Sequence, residues 1–236
     1  MRRHMFRWSP ARIIAGAFGS ISFIGSILLY LPWGHMPGQS ITYVDALYTA
    51  VSALCVTGLS IVDTAAVFNP FGQAILAVLI QVGGLGVSTM GAGVLLMLGR
   101  KVGIRQRNLI HDTMNLDSYS GVVRFLRTLF ATTVFIEIIG AFLGYFVFRR
   151  DYEMMESIEL SIFHSISSFN NAGLTILTKE RSMEMYAEDP FMLILTTALV
   201  FVGVTGAFLI RNDLAASVRH LIRDYASFCP SRYAFC

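Results

Sequence analysis

A chain of 236 residues that is 55% hydrophobic and only 14% charged lacks the polar surface to cover a water-soluble globule of its size, since soluble domains carry about 25% charged residues. Its mean hydropathy is +0.62, and lipid is the natural solvent for such a composition. The net charge of +3 says little until it is mapped onto the chain, and the three cysteines, Cys55, Cys229 and Cys236, match no zinc or redox spacing and give no prior expectation of disulfides.

The N-terminus carries Arg2, Arg3, Arg7 and Arg12 ahead of an apolar run over 11–31. That run exceeds a signal-peptide core and no small-x-small cleavage site follows, so it reads as a retained first helix. Further apolar segments over 70–98, 126–148 and 191–210 are each long enough to span the hydrocarbon core, which takes roughly 20 residues. The second is over-long and glycine-rich, which predicts a tilt, bend or break. Of the 18 Lys and Arg, 14 fall on one side of these four spans, in the N-terminal segment, 100–127 and 211–232. The acidic residues Asp45, Asp63, Asp151, Glu153, Glu156, Glu159, Glu180, Glu184, Glu188 and Asp189 fall on the other. The positive-inside rule then places both termini in the cytoplasm, and negative outer loops concentrate cations.

Each outer connection holds a short apolar stretch ending in a small, glycine-containing cluster: DALYTAVSALCVTGLS over 45–60 and LSIFHSISSFNNAGLT over 160–175. About nine helical residues rise only about 14 Å, too little to cross. They predict half-helices that enter from outside and stop part-way, where irregular backbone must line a cavity or lie in protein. The loops align without gaps at an offset of 115, with Ser52 on Ser167, Gly58 on Gly173 and Leu59 on Leu174. Pro70-Phe71 falls on Pro190-Phe191, and Gly83 and Gly86 on Gly203 and Gly206, at an offset of 120. The order helix, half-helix, glycine turn, proline-started helix thus occurs twice in parallel. Parallel repeats surround an axis along the membrane normal.

A cation filter replaces a hydration shell with backbone carbonyls, and a glycine permits the backbone conformations this demands. Cys55-Val56-Thr57-Gly58 and Asn170-Asn171-Ala172-Gly173 suit that task, with the negative ends of the preceding half-helices aimed at the cavity. Glu137 lies inside the third span, where carboxylates are functional or face a polar interface; the sequence leaves these two roles open. Asp45 is expected to cap the first half-helix, and His164 to pack against the filter. No Walker-type loop, nucleophile–base pair or metal spacing emerges, so neither an enzyme nor a resident cofactor is expected.

The stretches ALYTAVSALCVTGLSIVDT and FGQAILAVLIQVGGLGVSTMG, with FHSISSFNNAGLT, resemble the first two repeats of the Trk/Ktr/HKT superfamily of cation transporters, the bacterial Ktr-type membrane subunit above all. The resemblance runs over 9–213. It implies an all-α membrane protein with two parallel helix–pore loop–helix repeats: four transmembrane helices and two re-entrant half-helices, half of a pseudo-four-fold pore. The first repeat would occupy 1–99, a basic cytoplasmic connection 100–125, the second repeat 126–211 and a cytoplasmic tail 212–236. The family's filter carbonyls map to Cys55, Val56, Thr57 and Gly58, and to Asn170, Asn171, Ala172 and Gly173; glycine at the first filter implies potassium. The implied partners are lipid, further copies of the chain in a homo-oligomer, and a cytoplasmic nucleotide-binding ring facing 100–127, with no nucleic acid. The implied location is the bacterial inner (plasma) membrane, multi-pass. The family pattern has four repeats and two are present here. The chain is therefore expected to be a fragment of a potassium uptake protein, a half-size subunit whose copies complete the pore, or a non-conducting accessory subunit.

Overall fold

The computed structural model describes residues 10–86, 122–177 and 183–205. The expected stretches 87–98, most of the basic connection 100–125, the end of the last span over 206–210, and the tail over 212–236 lie outside them. The described residues form α-helices and short 3-10 turns, and no strand occurs among them. In chain order the helices are α1 (Pro10–Tyr30), α2 (Tyr43–Cys55), α3 (Thr64–Val67), α4 (Pro70–Gly84), α5 (Val122–Phe148), α6 (Met154–Phe169) and α7 (Pro190–Thr205).

Local chemistry sets the starts. At α2, the Thr42 hydroxyl accepts from the Asp45 amide while the Asp45 carboxylate accepts from the Thr42 amide, a reciprocal capping box. Asp45 thus caps α2 from its third helical position, with Thr42 as the N-cap. Helices α4 and α7 both open on proline at the first position, where its missing N–H costs nothing. Asn69 Oδ1 accepts from the amides of Phe71 and Gly72 at 3.0 Å each. Asp189 Oδ1 accepts from those of Phe191 and Met192 at 2.9 and 3.2 Å.

One expectation needs correction. The half-helices have 13 and 16 residues rather than about nine, because each begins before the unbroken apolar run, in a turn that carries Asp45 or Glu156. The over-long second segment breaks, one of the outcomes expected for it: α4 ends at Gly84, and Gly86 takes a left-handed φ of 82°.

Helix α1 packs on α2, α2 on α4, and α5 on α6, and a contact between α4 and α6 joins the two halves. Leu29, Ala46, Ala50, Ala53, Leu76 and Ile80 are fully buried in the first half, and Val147, Phe148, Leu160 and Phe163 form the core of the second. The outer faces are equally apolar: Phe135, Ile138 and Phe142 on α5 are each more than 60% exposed. A contiguous apolar face of that kind is unsuited to water and suited to lipid. The segment Leu126–Phe148 is long and apolar enough to cross a membrane.

Candidate functional site

Both half-helices end in the same local geometry. After α2, the amide of Val56 donates to Ala53 O and that of Thr57 to Ser52 O, at 3.3 and 3.0 Å; after α6, Asn171 N donates to Ser168 O and Ala172 N to Ser167 O, at 3.0 and 2.7 Å. Val56 and Asn171 both have φ 56°, and they alone among the described non-glycine residues have positive φ. Such a conformation costs roughly 1–2 kcal/mol for an L-residue, so the surrounding bonds must hold it. Two residues on, Gly58 and Gly173 have φ of 74° and 68°. The chain then turns back, and a serine on the half-helix ties it down: Ser52 Oγ donates to Leu59 O at 2.5 Å and Ser167 Oγ to Leu174 O at 2.6 Å.

Glycines on the following helices seat these ends. A Cβ at Gly83 would run into the carbonyl of Leu54, and one at Gly203 into that of Phe169. Leu54 and Phe169 are the penultimate residue of α2 and the last residue of α6. The two loops also meet each other: a Cβ at Gly58 would lie 2.7 Å from Ala172 O and 3.5 Å from Gly173 Cα. Thr64 Oγ1 donates to Thr175 O just beyond.

Of the eight residues predicted from sequence, the structure therefore brings Gly58 against Ala172 and Gly173. Val56, Asn170 and Asn171 share the lining of one cavity of about 440 Å³ with Gly83, Gly84, Thr132 and Thr133. Cys55, Thr57 and Gly173 are exposed, while Ala172 is buried. Loop 45–60 is the more open of the two: Leu59 is 59% exposed and its counterpart Leu174 only 5%.

The sequence reading gave Gln81 no role and left that of Glu137 open. Asn170 Nδ2 donates to Gln81 Oε1 at 2.9 Å, to Ile166 O at 2.9 Å and to Glu137 Oε1 at 3.4 Å. Residues 33 and 89 positions away from Asn170 give no periodic signal. His164 Nε2 lies 3.1 Å from Thr196 Oγ1 on α7 and 3.3 Å from Ser168 Oγ near the end of α6, and its ring meets Phe148 edge-on. Among the described residues no cluster of three or more His, Cys, Asp or Glu is placed to hold a metal.

Apolar outer faces and an all-helical core among the described residues are those of a membrane protein. The chain belongs to the TrkH family, described as cation transport protein, whose sequence profile matches residues 10–229. It is 34% identical to Ktr system potassium uptake protein B of Bacillus subtilis over 200 residues, 85% of this chain and 44% of that protein. It is 36% identical to Ktr system potassium uptake protein D of the same organism over 84% of this chain and 44% of the relative. It is 33% identical to potassium/sodium uptake protein NtpJ of Enterococcus hirae over 88% of this chain and 46% of the relative. The chain spans about half the length of the curated relatives it matches. It is thus a Trk/Ktr-type membrane subunit by family, with a plasma-membrane setting, and its family is one of transporters rather than enzymes.

Proposed function

We propose that this chain contributes to potassium uptake across a bacterial plasma membrane as two helix–pore loop–helix repeats, each supplying one quarter of a selectivity filter. The carbonyls of Cys55, Val56, Thr57 and Gly58 and those of Asn170, Asn171, Ala172 and Gly173 replace the hydration shell of the ion. The observation that carries this reading is the shared loop geometry: positive φ at Val56 and Asn171, at Gly58 and Gly173, and the serine tie to the residue after each glycine. The C-terminal ends of α2 and α6 point partial negative charge at the loops and favour a cation. The cavity beside the loops is the vestibule on the cytoplasmic side, both termini lie in the cytoplasm, and the acidic residues of the outer connections draw cations in.

Two loops enclose half a pore. The other two come from further sequence of the same protein or from a second copy, and a cytoplasmic nucleotide-binding ring docks on the basic face around 100–127. Expression in a potassium-uptake-deficient bacterium tests the reading. Growth on low potassium should be restored and then lost when Gly58 or Gly173 is changed to valine. A stable, membrane-inserted chain that restores no growth alone, but co-purifies with a full-length transporter, would instead identify a non-conducting accessory subunit.

A further inference from the structure

Asn170 differs from its counterpart at the end of the first half-helix in one respect. Cys55 is exposed and carries a thiol, a weak hydrogen-bonding group. Asn170 carries an amide held from three sides. Its Nδ2 faces Gln81 Oε1 on α4, Glu137 Oε1 on α5 and Ile166 O on its own helix. Gln81 Oε1 and Glu137 Oε1 thus converge on one amide from two other helices. Gly84 leaves the space: a Cβ there would collide with the Asn170 side chain. Asn170 also caps the C-terminal end of α6, its own amide bonding back to Ile166 O, and the next residue is the left-handed Asn171.

We propose that Gln81 and Glu137 are positioning residues for the second filter loop, acting through Asn170, and that this clamp sets the discrimination between potassium and sodium. A filter discriminates through the spacing and number of its carbonyls, and a hydrogen-bonded polar network of this sort fixes one backbone arrangement where an unsatisfied one would not. The clamp acts on one loop only, because Cys55 has no equivalent amide. Gln81 belongs to the first half of the chain and Asn170 to the second, so the clamp also fixes one half against the other. The selectivity claim rests on the filter reading above; the positioning claim does not.

The test uses the 236-residue chain in detergent and in cells, with Glu137→Leu, Gln81→Leu and Glu137→Gln compared with the unaltered protein. In hydrogen–deuterium exchange, both leucine variants should speed exchange of peptides covering 168–175 by about tenfold, the scale of losing one net hydrogen bond. Peptides covering 53–60 should be unchanged. Glu137→Gln keeps a carbonyl acceptor for Asn170 Nδ2 and should keep slow exchange. The ratio of potassium to sodium uptake, at matched protein abundance, should fall about five- to tenfold in the leucine variants and not in Glu137→Gln. Unchanged exchange at 168–175, or an equal rise at 53–60, would overturn the clamp. A selective rise in exchange with an unaltered ion ratio would overturn its role in selectivity. An unaltered chain with no potassium preference would overturn the filter reading, and exchange would still decide the clamp. Should Glu137→Leu fail to fold, Gln81→Leu carries both measurements.

Discussion

Val56 and Asn171 lie 115 positions apart and share a backbone φ of 56°, which asparagine tolerates and the β-branched valine does not favour. Nothing about valine or asparagine as a pair requires this. What the positions share is context: each follows a half-helix, precedes a left-handed glycine by two residues, and has a serine four residues earlier that bonds the residue beyond that glycine. The conformation is imposed by the loop rather than chosen by the residue.

The glycines of the two loops differ in what a side chain would meet. Both have positive φ, but a Cβ at Gly58 would also strike Ala172 O at 2.7 Å, whereas at Gly173 the nearest atom is Gly58 Cα at 3.7 Å. Alanine at Gly173 should therefore cost the left-handed penalty, roughly 1–2 kcal/mol. Alanine at Gly58 should cost that plus the overpacking, about 1–3 kcal/mol more. Thermal unfolding in detergent should rank Gly58→Ala below Gly173→Ala; equal midpoints would contradict the contact between the loops.

Gly83 and Gly203 seat the half-helix ends, and Gly144 offers a control. Cβ atoms at the first two would overlap the carbonyls of Leu54 and Phe169, while at Gly144 the nearest atom lies at 3.7 Å. Gly83→Ala and Gly203→Ala should lower stability by about 1–3 kcal/mol or more and displace the loops. Gly144→Ala, inside a helix with room for a methyl, should be neutral or stabilising by up to about 1 kcal/mol. Midpoints of denaturation in detergent for the three variants check this.

Much of this arrangement was legible in the sequence because it is local. Pro70 and Pro190 mark helix starts, Asn69 and Asp189 supply their caps, and each loop glycine follows an apolar run by a few residues. The lengths of α2 and α6 were less legible because Asp45 and Glu156 interrupt their first turns and only the unbroken apolar part was counted. The end of α4 at Gly84 was foreseen only as one of several outcomes, since a glycine-rich segment is compatible with a tilt, a bend or a break. The cluster of Gln81, Glu137 and Asn170 was not legible at all: it joins three helices, and no periodicity within one helix encodes a contact between them. The contact of His164 with Thr196 was hidden for the same reason, its partner lying 32 residues on in α7.

Ser52 and Ser167 are buried and each anchors the return of its loop. Replacing either with alanine removes a donor and leaves a carbonyl, Leu59 O or Leu174 O, without that bond. The expected cost is about 1–3 kcal/mol where the carbonyl stays buried. Leu174 is 5% exposed and Leu59 59%, so solvent can compensate the second site and not the first. Ser167→Ala should therefore destabilise more than Ser52→Ala, as denaturation midpoints of the two variants in detergent will show.

Asp189 links the start of α7 to pH. The amide of Met192 holds its carboxyl below the usual carboxylate range, against an opposing desolvation; the Phe191 amide and the nearby Arg150, 2.7 Å away, also lower it. A carboxyl whose pKa is lower in the folded state adds stability that is fully present above its unfolded value, about 3.9, and is lost as pH falls through the lower folded value. The cap should therefore be intact at neutral pH and weaken only below about pH 4. Asp189→Asn keeps an acceptor for both amides but not the charge, so it should flatten that acid limb and lower neutral-pH stability by the height of the limb. Arg150→Ala should do little at either pH, because its side chain is 61% exposed and the pair is solvent-screened. Denaturation midpoints between pH 3 and 7 for the three proteins provide the measurement; an acid limb that persists unchanged in Asp189→Asn would assign the loss to another carboxylate of the outer connections.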